Sequence, residues 1–74
     1  MNKRAFRAVM ILHGDTQKAV AEALGVTQKT IADKINGVTD FKQSEIRKLI
    51  ERYGLTPAQV DNIFFGADAP WKDL

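Results

Sequence analysis

Residues 17–37 read QKAVAEALGVTQKTIADKING, and the fold turns on how this stretch is read. Val20, Ala21 and Leu24 fall on one side of a helix that begins at Gln17 after a Thr16 cap and stops at Gly25, a residue tolerant of the left-handed turn conformation. Val26 is the one apolar residue in the turn that follows. Thr27 then caps a second helix whose Ile31 and Ile35, four residues apart, point to one face. Asn36-Gly37 suits a left-handed helix exit. Two short helices held at a fixed angle by a three- or four-residue turn are therefore predicted, with Ala21 small because the second helix crosses the first there.

That arrangement is a helix-turn-helix, and its exposed residues fit nucleic acid. Gln17 occupies a first helical turn, where free N–H groups favour an anion such as a phosphate. The second helix presents Gln28, Lys29, Thr30, Ala32, Asp33, Lys34 and Asn36, several of which can read base edges or phosphates in a major groove. Gln28 suits adenine, Lys29 suits guanine or a phosphate, and Asp33 suits a cytosine amino group. Gln17, Lys18 and Asn36 would hold the backbone, and Thr27 lies at the mouth of the same helix. Lys34 is expected to lay its stem along the domain and send its ammonium to solvent or a phosphate, leaving Ile35 as the buried member of the pair.

The stretch resembles the helix-turn-helix of the small phage and prophage Cro/repressor-like regulators, the XRE-type family, in Gln17, Ala21, Gly25, Val26, Ile31 and Asn36-Gly37. The run TQKTIADKING and the following DFKQSEI are similar to short prophage regulators. One position departs: Lys34, three after Ile31, stands where the family usually has an apolar residue. The resemblance implies an all-α, lambda-repressor-like bundle. It also implies a double-stranded DNA operator as partner and binding as a homodimer on two half-sites.

The chain outside the motif is consistent with one small helical domain. With 74 residues and 45% apolar content, the sequence supports a single core. No cysteine is present, which excludes disulfides and thiolate metal sites and leaves the redox compartment open, with the cytosol the default and, as the resemblance implies, that of a bacterial host cell. The apolar run Ala8–Leu12 is too short for a signal peptide or a membrane span. Residues 1–53 carry ten Lys/Arg against six Asp/Glu, and residues 54–74 carry Lys72 against three aspartates, so the positive charge lies with the motif.

A first helix is predicted over Lys3–Leu12, with Phe6, Val9, Met10 and His13 on its core face. A fourth runs from about Lys42 to Tyr53, capped by Asp40 and Gln43, with Phe41 anchoring the preceding loop. Its Ile46, Leu49, Ile50 and Tyr53 face inward, and Glu45, Arg47, Lys48, Glu51 and Arg52 face out with opposite charges paired along the helix. Gly54-Leu55 ends it. Thr56-Pro57-Ala58-Gln59 opens a fifth helix to about Phe64, with Val60, Ile63 and Phe64 inward and one of Phe64 and Phe65 exposed. Residues 1–65 form the helix-turn-helix domain in this reading, and 66–74 form an irregular tail.

Neither catalysis nor a cofactor is indicated: one histidine, no cysteine and scattered acids offer no positioned constellation for acid–base work or for a metal. A second class of function competes with DNA reading. An antirepressor or modulator would keep the scaffold but bind a repressor protein, with Phe65 and Trp71 as apolar anchors and Asp33 mimicking nucleic acid.

Overall fold

The computed structural model describes residues 1–65, which form five helices: α1 (Lys3–Leu12), α2 (Gln17–Leu24), α3 (Gln28–Ile35), α4 (Gln43–Tyr53) and α5 (Pro57–Phe64). No strand occurs among the described residues. Each boundary has a local cause. Asn2, Thr16, Thr27 and Thr56 accept a backbone N–H from the third residue on, satisfying donors that the first helical turn leaves free. Four helix exits use one closure, in which the N–H just past a glycine bonds the carbonyl five residues back: Asp15 to Met10, Val26 to Ala21, Val38 to Asp33 and Leu55 to Ile50. The glycine matters most at Gly25. Its φ of 71° is a conformation an L side chain rarely adopts, and it aims the chain from α2 into α3.

The core is built from the predicted stripes. Phe6, Val20, Ala21, Leu24, Ile31, Ile35, Leu49 and Ile63 are buried, joined by Met10, Tyr53 and Leu55. Val9, Val26, Ile50 and Val60 are half-buried against them. Ala21 is only 2% exposed, and α2 and α3 pack on one another, as its small side chain requires. α1 packs on α5, and the carbonyl of Ile63 accepts the N–H of Asn2 at 2.8 Å. Phe41 in the α3–α4 loop sits 5.7 Å from the Phe6 ring and 5.5 Å, edge-on, from Phe64, tying that loop to α1 and α5.

Four sequence expectations are corrected. α4 is entered at Lys42 rather than through an Asp40/Gln43 cap: Glu45 Oε1 accepts the Lys42 N–H at 2.8 Å. A lysine side chain has no oxygen to return the favour, so only half of a capping box exists there. Glu45, placed outside by its pattern, is buried at 6% exposure, while Ile46 is only half-buried and stands apart from the core cluster. Glu45 therefore pairs with Lys34 on α3 rather than with Lys48 on its own helix. His13 is exposed at the cap of α1, its ring 5.0 Å from Tyr53, and does not extend the core face. Trp71 and the tail lie outside the described residues.

Candidate nucleic-acid interface

α3 is positioned from three sides. Ile31 and Ile35, fully buried, hold its inner face in the core, and Thr27 caps its start by accepting the Thr30 N–H at 3.2 Å. Asn36 closes the end by donating its N–H to Ala32. Helical geometry then sends Lys29, Asp33 and Asn36 to the side opposite Ile31, with Gln28 and Ala32 on its flank. The surface agrees: Gln28, Lys29 and Asn36 are exposed, and Ala32 and Asp33 are half-buried. The Thr27 and Thr30 hydroxyls face each other at 2.9 Å. At the entry to α2, Gln17 is half-buried and Lys18 exposed.

This face is close to neutral. Lys29 Nζ lies 3.3 Å from Asp33 Oδ2, an i,i+4 pair in which the lysine side chain is 86% exposed. An exposed pair of this kind is worth well under about 1 kcal/mol and opens easily. It leaves Lys29 free to exchange Asp33 for another anion.

Lys34 does not join the face. Its side chain is 7% exposed, and its ammonium lies 2.9 Å from Glu45 Oε1, donates to the Asp40 carbonyl at 2.9 Å, and sits 5.7 Å from the centre of the Phe41 ring. The expectation of an ammonium at solvent or phosphate is thereby overturned; the amine is used inside the protein, between α3 and α4. Ile35 is buried as expected, at 2%. Burial alone would raise the Glu45 carboxyl, but the Lys42 N–H and the Lys34 ammonium outweigh it and hold the group below its ordinary value.

A second cluster has no counterpart in the sequence reading. Asp15, just before the Thr16 cap of α2, receives both Arg52 Nε and Nη2 at 2.7 Å and the Tyr53 hydroxyl at 2.5 Å. The bidentate Arg52 bond, with lesser help from Tyr53 and the Thr16 N–H and against the effect of burial, lowers Asp15 to about 2. Burial and then the Asp15 charge push the Tyr53 hydroxyl above its ordinary value. The cluster fixes the start of α2 against the end of α4. A Gly-Asp-Thr loop and an arginine in a charged run give no local sign of meeting across 37 residues.

A family model described as helix-turn-helix, the XRE-type domain, matches residues 6–60, a span that holds α2, the Gly25 turn, α3 and α4 together with most of α1 and the first half of α5. The chain belongs to that family. Members of this helix-turn-helix family are DNA-binding transcription regulators, typically without catalytic activity. No curated protein and no solved structure matches the chain. Among the described residues of this helix-turn-helix protein, no helix is long and apolar enough to cross a membrane.

Proposed function

We propose that this helix-turn-helix protein is a sequence-specific regulator of phage or prophage type that lays α3 in the major groove of its operator. The observation that carries the reading is the composition of α3's outward side: Lys29, Asp33 and Asn36 stand opposite two fully buried isoleucines, with Gln28 exposed on the flank at the start of the helix and no large apolar residue among them. Gln28 has the amide geometry for a bidentate bond to adenine, and Lys29, released from Asp33, reaches guanine or a phosphate. Asp33 accepts from cytosine. Thr27 and Thr30 flank the contact, and Gln17, Lys18 and Asn36 hold phosphates on either side, fixing register without carrying sequence information. Lys34 has no part in this contact.

An eight-residue reading helix reaches few base pairs, so two copies on two half-sites supply the specificity. The surface for pairing is an apolar groove of about 630 Å³ bounded by Ile50, Leu55, Pro57 and Val60, with Phe65, 62% exposed, at its edge. The repressor-binding alternative uses the same Phe65 and has no separate observation in its favour.

The test is selection of duplexes from a random-sequence library by the purified protein, with its mass measured in the bound complex. Enrichment of a two-fold-symmetric sequence bound by two copies is the expected result. Failure to enrich any sequence, with a repressor protein bound instead, would replace this reading by the alternative.

A further inference from the structure

The Lys34–Glu45 pair is placed where it governs how α3 is presented, and this inference rests on the DNA-reading function proposed above. Beyond Gly37 the loop makes two backbone bonds, from the Val38 and Thr39 N–H groups to the Asp33 carbonyl at 2.8 and 3.4 Å. Val38 to Asp40 are all exposed, Val38 at 70%. From Asp40 to Lys42 the described structure has no backbone bond that leads back to α3. Beside the Phe41 ring, packed on Phe6 and Phe64, what ties this part of the loop down, and the one tie to α3, is the pair: Lys34 Nζ holds the Asp40 carbonyl, and Glu45 Oε1 holds the Lys42 N–H. The two charged groups bond each other at 2.9 Å between those anchors, so the last turn of α3 and the first turn of α4 are locked through one buried contact.

The energetics separate this role from plain stability. Removing two charges from water is costly, and replacing a buried pair with apolar residues of similar volume is often neutral or stabilising. The two backbone bonds that the pair makes are only part-buried and belong to exposed residues, so water can reach those groups when the pair is gone. Relative to apolar residues of the same volume, the pair therefore adds little to the folding free energy, and what it adds is a directed geometry that apolar packing lacks. We propose that Lys34 and Glu45 are positioning residues for operator recognition: they set the α3–α4 loop, and with it the end of the reading helix, in the one arrangement that fits the operator.

The experiment compares wild type with the Lys34→Met/Glu45→Leu double variant, which removes both charges and keeps the volume. Three quantities are measured: the melting temperature without DNA, amide exchange at Val38–Lys42, and the ratio of affinities for the duplex that wild type selects from a random library and for unselected duplex. The expected result is a melting temperature at or above wild type, faster exchange confined to the loop, and a ratio at least tenfold lower. A folded double variant with its ratio within twofold of wild type would overturn the proposal. So would a double variant that does not fold, since the pair would then be a stability element. If wild type itself selects no duplex, the DNA-reading function falls, and the positioning role falls with it; a wild type that selects while the double variant keeps its ratio sinks the positioning role alone.

Discussion

At the scale of single residues, the protein separates groups that face outward from groups consumed within the fold, and residue type does not predict which is which. Lys29 and Lys34 lie five apart on one helix, yet the first is exposed beside Asp33 and the second is buried on Glu45. Gln28→Ala is expected to cost about 1–3 kcal/mol on the selected duplex and little on random DNA, since it removes a bidentate base contact. Gln17→Ala should weaken both alike. Equal losses from both variants in a fluorescence titration would take base reading away from Gln28. Asp33→Asn should tighten binding to random DNA severalfold by freeing Lys29 and removing a charge that repels phosphates; unchanged or weaker non-specific binding would mean that Asp33 does not face the nucleic acid.

Asp15 sits at about 2 in the folded protein against an ordinary 3.8, and Glu45 is lowered in the same direction. A carboxyl lowered on folding stabilises fully above its unfolded value and loses that contribution as pH falls toward its folded one. Melting temperature should therefore hold steady near neutrality and drop between about pH 4 and pH 2. Asp15→Asn should melt lower at neutral pH and show a shallower acid drop. A variant whose acid profile is as steep as wild type's would remove Asp15 from the acid response.

At the scale of elements, the helices were legible because what starts and ends them is local. A threonine cap, a glycine exit and an apolar pair four apart all lie within one or two turns of the boundary they set, as at Thr16, Gly25 and Ile31–Ile35. The misread entry to α4 shows the limit. Asp40 has a capping side chain in the right neighbourhood, but its carbonyl is held by Lys34 six residues away, and the cap position falls two residues later, at Lys42. The crossing of α2 and α3 is the element on which the motif depends. Ala21→Leu should destabilise by about 1–3 kcal/mol through overpacking there, and Ile35→Ala by about 2–5 kcal/mol through the cavity it leaves in the core. Denaturant midpoints unmoved by either substitution would mean that α3 is not seated as described.

At the scale of the whole molecule, what sequence reading missed is non-local. The Asp15–Arg52–Tyr53 cluster joins residues 37 and 38 apart, and Lys34–Glu45 joins two side chains that pattern assigns to the surface, where lysine and glutamate are almost always found. Both contacts brace the motif from outside it, one at the start of α2 and one at the end of α3. The stretch that places the chain in its DNA-binding family thus lies within residues 17–37, while the contacts that brace its two ends come from partners on α4 that carry no signature of their own.

If α3 reads DNA as proposed, binding must weaken steeply with salt. For a protein that replaces counterions on phosphates, the logarithm of the binding constant falls linearly with the logarithm of salt concentration. For the selected duplex, a steep linear fall is expected, made shallower by Lys29→Ala, with discrimination between selected and random duplex retained at each salt concentration. Affinity indifferent to salt, or a slope that Lys29→Ala leaves untouched together with no preference for any sequence, would contradict the account.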